Sequence, residues 1–332
     1  MNNLVFVCGH RKCGTTMFSD LFNGHQKLSV FPTDLSIFYG YYPKYVDGSF
    51  SFEEQMERIE NVIFLNLKRA FKKNILDLED KVDLKLMKDF FYKNLDNTRL
   101  NEINHILEVM LDAFHFSIGF KIKDFEWLIL KETSLEIYAI ELNKFYPNAK
   151  FLHLIRDPRD NYASLKSGSD KHYKLFGEDE KHSLFSMINR YHHGFKVIKS
   201  NIDVIGKENY KVVKYEDLCN NTEYVMNDIS SFLGIEYSDV FLTPTILGKE
   251  TKGNNYEGEN FNKVSSLNVD RWKERINEEE AKIIEFHFSE FLGEYNYKTN
   301  FNLKEQSLAA SEFYKWSNYK YLFKDSFKVL NK

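Results

Sequence analysis

The sequence has little cysteine and proline, no long apolar run and no excess of positive charge. Its three cysteines, Cys8, Cys13 and Cys219, fit no metal-binding spacing and leave no even disulfide set. We therefore expect a reducing compartment. No stretch approaches the roughly 18 uncharged apolar residues of a transmembrane helix. The N-terminus runs directly into an apolar strand pattern without a cleavage site. These absences predict a cytoplasmic protein without a transmembrane segment.

The charge balance gives no signal for nucleic acid. The formal net charge is -4 over 332 residues, so any basic site must be local, and no nucleic-acid partner is expected. Only five prolines are present, whereas aromatic residues make up 16% of the chain. This composition is typical of a packed globular protein.

The first informative stretch lies near the N-terminus. Residues 4–8 (LVFVC) predict a buried parallel strand. Residues 9–16 (GHRKCGTT) follow it, and the apolar spacing from Met17 to Phe22 then fits one face of a helix that ends at Gly24. A strand, a tight loop and a helix N-terminus together favour an anion site.

The loop almost matches the nucleoside-triphosphate phosphate loop, G-x4-G-K-[ST]. Gly9 and Gly14 have the right spacing and Thr16 falls on the hydroxyl position, but Thr15 occupies the lysine position. Lys12 is the cation of the loop instead. The loop can therefore wrap a phosphate-like group, but it lacks the lysine that bridges the β- and γ-phosphates.

A second strand-to-helix loop follows residues 151–155 (FLHLI), in the sequence RDPRDNYAS at 156–164. Asp157 is placed as N-cap, Pro158 as the first helical residue and Asp160 as the partner in a capping box. Capping leaves Arg156 unexplained. Arg156 at the strand tip and Ser164 on the helix could bind one anion together.

Both loops resemble motifs of the sulfotransferase family, which uses 3'-phosphoadenosine-5'-phosphosulfate (PAPS). The first resembles the 5'-phosphosulfate loop, P-[KR]-[ST]-G-T-T, with Arg11 in place of proline and Cys13 in place of serine or threonine. The second resembles the 3'-phosphate motif, R-[DN]-P-[RK]-D-x3-S, at every fixed position. The resemblance covers residues 4–35 and about 116–297.

The resemblance implies roles for individual residues. Lys12 would be catalytic, because it would neutralise charge on the phosphate that leaves. Asp34 would be the general base, although it is offset by about one residue from the carboxylate used in one branch of the family; an ordinary turn residue is the alternative. Cofactor binding is assigned to Arg11, Cys13, Gly14, Thr15, Thr16, Arg156, Ser164, Tyr215 (in YEDL, against the adenine) and Arg271 (before Trp272). The product would be 3'-phosphoadenosine-5'-phosphate (PAP), and no metal is required.

The predicted fold is α/β, with a central, mostly parallel sheet flanked by helices and ligands at the carboxyl ends of the strands. We expect one sulfotransferase domain over residues 1–300, with a helical insert at about 50–115 and a C-terminal helical tail at 301–332. Further strands are predicted at 117–122 (SIGFKI), 127–130 and 210–214. The tail could pack on the body, form a homodimer contact or lie on a membrane surface.

The expected function is transfer of a sulfuryl group from PAPS to a hydroxyl or amine of an acceptor. The large aromatic-rich insert favours a glycan or a lipid-linked glycan as acceptor. A phosphate-loop kinase is one alternative, but it needs a lysine after Gly14. A non-catalytic nucleotide-binding protein of the same fold is the other alternative.

Overall fold

A parallel sheet forms the centre of the molecule. The computed structural model describes residues 3–35, 37, 51–72, 75–100, 102–169, 179–251 and 263–317. The strands are β1 (Asn3–Cys8), β2 (Leu28–Val30), β3 (Trp127–Lys131), β4 (Lys150–Ile155), β5 (Tyr210–Lys214), β6 (Thr245–Ile246) and β7 (Lys249–Glu250). The first five form one sheet in the order β2-β3-β1-β4-β5, with every neighbouring pair parallel. The last two form an antiparallel pair.

Helices cover both faces of the sheet, which confirms the predicted α/β fold. They are α1 (Thr15–Asp20), α2 (Phe52–Arg58), α3 (Leu65–Ala70), α4 (Leu84–Asn94), α5 (Ile103–Ser117), α6 (Ala139–Phe145), α7 (Pro158–Ser169), α8 (Glu180–Ile205), α9 (Tyr215–Asn220), α10 (Thr222–Leu233), α11 (Trp272–Arg275), α12 (Glu278–His287), α13 (Ser289–Glu294) and α14 (Leu303–Ser317). A π-helical segment, Ile59–Phe64, joins α2 to α3. The division into a domain, an insert and a tail stays a prediction.

Strand β1 is buried on both faces of the sheet. Its successive side chains point to opposite faces, and each face packs against its own core cluster. Phe6 faces a core cluster shared with the helices α4 and α5. Val5 and Val7 face a second cluster, shared with α1 and α10. Burial on both faces explains why residues 4–8 are apolar without alternation.

The loops that follow β1 and β4 lie side by side. Strand β1 pairs with β3 on one side and with β4 on the other, and Cys8 is in register with His153. The order of the strands therefore changes direction at β1. In open α/β sheets, ligands bind outside the carboxyl ends of the strands at such a point.

The strand predicted at 117–122 is wrong. Helix α5 continues through Ser117, whose hydroxyl donates to the carbonyl oxygen of Phe114 (2.7 Å). Gly119 then adopts a left-handed φ of 80°, and the N–H of Phe120 bonds back to the carbonyl of His115 (2.9 Å). A glycine-based helix end has replaced the extended conformation that the β-branched residues favoured.

The C-terminal helix α14 packs on the body through Phe313, and one buried carboxylate holds the start of this segment. Glu285 on α12 accepts hydrogen bonds from the side chain of Gln306 (3.1 Å) and from the N–H groups of Asn300 (3.0 Å) and Phe301 (3.2 Å). It also accepts from Arg159 (2.6 Å), which pairs on its other side with Asp157. The start of α7 and the start of the predicted tail thus share one ion-pair network. Residues 318–332 of the predicted tail lie outside the described residues.

We expect Glu285→Ala to lower the free energy of unfolding by about 3–5 kcal/mol, because it would leave Arg159 buried with half of its charge compensation. Urea unfolding monitored by circular dichroism measures this loss. Glu279→Ala is the control, because Glu279 is exposed on the same helix and should cost about 0.5 kcal/mol or less. Equal losses in the two variants would contradict the role of Glu285.

Candidate functional site

The loop after β1 requires left-handed backbone at three positions. The φ angles are 141° at Gly9, 67° at Lys12 and 97° at Gly14. A Cβ atom at Gly9 would collide with the carbonyl oxygen of Leu154 in the neighbouring strand. The N–H of Cys13 closes the loop on the carbonyl of His10 (3.0 Å). Glycine is therefore needed at Gly9 both for its conformation and for the close approach of β4.

Tyr215 joins the two predicted anion loops. A Cβ atom at Gly14 would lie 2.6 Å from Cδ2 of the Tyr215 ring. The guanidinium of Arg156 lies 4.3 Å from the centroid of the same ring, within the range of a cation–π contact. Tyr215 begins α9 directly after β5, so the fifth strand supplies a buried support for both loops.

The buried guanidinium of Arg156 connects three segments. Its Nη1 donates to the carbonyl oxygen of Lys12 (2.9 Å) and its Nη2 to the carbonyl oxygen of Asn268 (2.6 Å). The side-chain oxygen of Asn268 in turn accepts from Nη1 of Arg271 (3.1 Å). Three of the cations singled out in the sequence are thereby brought to one place.

The electrostatics of this place favour an anion. Burial, together with the positive charge of Arg156, lowers the pKa of Lys12 to about 8. The Nε of Arg156 is buried and has no hydrogen-bond acceptor among the described residues. An anionic ligand would relieve the repulsion between these cations and could accept from that N–H.

The side chains of Arg11 and Cys13 contact other side chains of the protein. Nη2 of Arg11 donates to the hydroxyl of Ser186 on α8 (3.2 Å). Cys13 is buried, and burial raises the pKa of its thiol to about 12, so it is not a reactive cysteine. Asn161 on α7 holds both residues, because its Nδ2 donates to the carbonyl of Arg11 (2.8 Å) and to the sulfur of Cys13 (3.3 Å).

Asn161 and His10 were not predicted to hold the loop. Nδ1 of His10 lies 3.0 Å from Oδ1 of Asn161, and its ring stacks on Tyr191 at 5.1 Å. Burial, helped by the charge of Arg11, keeps the pKa of His10 well below its usual value. The motifs carry no signal for these contacts, because they join residues about 150 positions apart in the sequence.

The candidate base Asp34 lies beside the first turn of α1. Its Oδ2 accepts from Nζ of Lys131 (2.9 Å), which also donates to the hydroxyl of Thr16 (3.2 Å). The N–H of Thr133 donates to its Oδ1 (3.2 Å). Lys131 is the last residue of β3, and only 7% of its side-chain surface is exposed, whereas 37% of that of Asp34 is exposed. An acceptor group could therefore reach the carboxylate of Asp34 more readily than the ammonium of Lys131.

Thr15 and Ser164 complete the predicted set. Thr15 is buried at the start of α1, next to the left-handed Gly14. Ser164 is half-buried on α7. Within the described part of the chain, Ser164 is not a hydrogen-bond partner of the Arg156 guanidinium. The structure thus brings Arg156 together with Lys12 and Arg271.

The capping box predicted for α7 does not form. Asp157 is the N-cap, since its Oδ1 accepts from the N–H of Arg159 (2.8 Å). In a capping box, the N–H of Asp157 would bond to Asp160. It donates instead to Oε1 of Glu216 (2.8 Å), which is the residue that follows Tyr215. The carboxylate of Asp160 is therefore available for other partners.

The described residues include neither a membrane-spanning helix nor a metal-binding cluster. No helix there has the length and apolar character needed to cross a bilayer. No group of three or more histidine, cysteine, aspartate or glutamate side chains there is arranged to hold a metal ion.

Comparison with known proteins decides the family. A model described as the sulfotransferase family matches residues 4–239, well over half of the chain. The chain belongs to the sulfotransferase family. Both loops of the site lie within the matched region.

Similar sulfotransferases are known by sequence and by structure. Protein-tyrosine sulfotransferase A of Caenorhabditis elegans is 27% identical over 40% of this chain and 34% of its own length. Protein-tyrosine sulfotransferase of Drosophila melanogaster is 32% identical over 32% of this chain and 20% of its own length. The chain thus covers about a third or less of these two relatives. The sulfotransferase domain from the curacin biosynthetic pathway shares the fold, with a TM-score of 0.57 and 16% identity over 90% of this chain and 99% of that domain.

For this sulfotransferase, we expect Gly14→Ala to be more destabilising than Gly119→Ala. Both glycines have a left-handed φ, which costs a non-glycine residue roughly 1–2 kcal/mol. A Cβ at Gly119 meets nothing within 4 Å, whereas one at Gly14 would press on Tyr215. The collision should add about 1–3 kcal/mol to the loss of unfolding free energy in urea titrations. Equal losses would show that the loop does not lean on Tyr215.

Proposed function

We propose that this protein transfers a sulfuryl group from PAPS to a hydroxyl or amine of an acceptor. The observation that supports this best is the meeting of the two anion loops through Arg156, whose guanidinium binds the loop of Lys12 on one side and the segment of Arg271 on the other. A donor with phosphates at both its 3' and 5' positions fits two such loops. The kinase alternative has less support, since no lysine follows Gly14.

The residues around Arg156 fit the donor. The unpaired Nε of Arg156 and the adjoining side chain of Arg271 would hold the 3'-phosphate, with Ser164 as a further hydroxyl. Residues 11–16 would surround the 5'-phosphosulfate with main-chain N–H groups and the Thr15 and Thr16 hydroxyls. Tyr215 would lie against the adenine. PAPS, when bound, supplies a sulfuryl group on a phosphate that can leave; the cationic side chains provide the charge neutralisation, and no metal is needed.

Lys12 and Asp34 would carry the chemistry. Sulfuryl transfer resembles phosphoryl transfer, in which positioning and charge neutralisation dominate. The ammonium of Lys12 would neutralise the charge that develops on the phosphate oxygen. Asp34 would accept the proton of the acceptor hydroxyl. Lys131 bonds to both Asp34 and Thr16, so it would hold the base at a fixed place beside the loop.

The acceptor class has two sources of support. The names of the two relatives point to a protein tyrosine. The insert, which supplies helices α2 to α5 beside the sheet, favours a larger acceptor such as a glycan or a lipid-linked glycan. We propose a glycan hydroxyl and test it with labelled PAPS against tyrosine peptides and glycans in parallel. A cytoplasmic location and a homodimer remain predictions.

We expect isothermal titration calorimetry to show tight binding of PAP without Mg²⁺, and weaker binding of ADP and of ATP with Mg²⁺. Arg156→Ala should weaken PAP binding by about 10–150-fold, because a hydrogen bond to a charged group contributes about 1.5–3 kcal/mol. Lys273→Ala is the control, since it removes an exposed cation close to Arg271 and should change the affinity less than about threefold. Preference for ATP, or indifference to the 3'-phosphate, would overturn the proposal.

We expect kcat/KM for PAPS to fall as the pH rises through about 8, because the free enzyme then loses the charge of Lys12. Lys12→Arg keeps a cation at high pH, so this alkaline limb should disappear from its profile. Lys12→Ala should lower kcat by about two to three orders of magnitude, or about 3–4 kcal/mol. An unchanged alkaline limb in Lys12→Arg would show that another group titrates.

A further inference from the structure

Residues 268–272 form a turn whose backbone is held from the side by Asp160. The Oδ2 of Asp160 accepts from the N–H of Asp270 (2.7 Å), and its Oδ1 accepts from the N–H of Trp272 (2.8 Å). Asp270 has a φ of 61°, in the left-handed region that a non-glycine residue enters at a cost. The two hydrogen bonds compensate for this backbone conformation.

Arg271 lies between the two residues that Asp160 holds. Its backbone direction is therefore fixed on both sides, and its side chain bonds to Oδ1 of Asn268 (3.1 Å). The carbonyl of the same Asn268 accepts from Arg156 (2.6 Å). A movement of the turn would thus displace Arg271 and remove one partner of Arg156.

The buried carboxylate of Asp160 is compensated by the turn and not by a helix cap. It is buried, with 2% of its surface exposed, and burial raises its pKa to about 6 although Arg156 acts in the opposite direction. Burying a carboxylate is costly unless hydrogen bonds compensate it. The expected capping partner, the N–H of Asp157, is occupied by Glu216. Its compensation comes instead from the turn, 110 and 112 residues away in the sequence.

We propose that Asp160 is the positioning residue for Arg271, which it holds beside Arg156 as the second cation of the 3'-phosphate site. Asp160 itself would not touch the donor; it would act through the turn. This inference rests on the proposed function, because it needs a donor phosphate at these two arginines.

A double-mutant cycle on PAP binding tests the inference by calorimetry. Asp160→Asn should weaken PAP binding by about tenfold, since an amide accepts well from only one of the two N–H groups. Arg271→Ala should weaken it to a similar extent. The double variant should lose clearly less affinity than the product of the two single losses, because Asp160 acts mainly through Arg271. Two independent structural effects would instead multiply.

The controls separate this inference from the proposed function. Glu280→Gln alters a carboxylate that bonds to Tyr162 and Lys166 on the same helix α7 but not to the turn, so PAP affinity should change less than about twofold. In steady-state assays, Asp160→Asn should raise KM for PAPS and leave KM for the acceptor unchanged. If Asp160→Asn does not fold, the cycle uses Asp160→Glu, which keeps the buried negative charge but displaces its oxygens.

Each outcome decides one of the two proposals. A wild-type protein that does not bind PAP overturns the proposed function. A wild-type protein that binds PAP, together with an Asp160 variant of unchanged affinity or with multiplying losses in the cycle, overturns the positioning role alone.

Discussion

The guanidinium of Arg156 is the contact on which the arrangement of the site depends. It donates to the carbonyl of Lys12 in the loop after β1 and to the carbonyl of Asn268 in a turn far along the chain, and it rests on the ring of Tyr215 after β5. Neither the loop after β1 nor this turn is held in place by its own hydrogen bonds alone. This buried cation brings two strand-end segments and one turn together and keeps positive charge at the place where they meet.

Charge compensation around Arg156 is arranged in two layers. Behind it, Arg159 is neutralised by Asp157 and Glu285, which also fixes the start of the tail. Beside it, the carboxylate of Asp160 lies close enough to lower the cost of burying Arg156 while it binds the turn. Toward the loop of Lys12, burial and the charge of Arg156 together lower the pKa of that lysine. The imbalance falls on the side where an anionic ligand would bind.

The sequence predicted the parts of this site that are local. Buried strands before Gly9 and before Arg156 follow from continuous apolar runs, and parallel neighbours place their ends together. The strand expected at 117–122 was wrong because Gly119 ends a helix there. The contact of Gly14 with Tyr215 and the turn held by Asp160 could not be predicted, because each joins segments that only the folded sheet brings together. Residue roles taken from the family resemblance place Lys12, Arg156 and Arg271 in one region, and the contacts of Arg156 bring these three residues together.

The motif at 156–160 combines structural and site roles within five residues. Arg156 and Asp160 face the loop of Lys12 and the turn of Arg271. Asp157 pairs with Arg159, which in turn pairs with the buried carboxylate Glu285. A helix that starts at Pro158 turns successive side chains by about 100°, so Arg159 and Asp160 point to different partners. Because one short segment meets both demands, the same sequence pattern signals a helix start, a buried ion-pair network and an anion site. These three roles can be told apart only from the partner of each side chain. The sequence position of Asp160 indicates a cap, whereas its contacts assign it to the turn that carries Arg271.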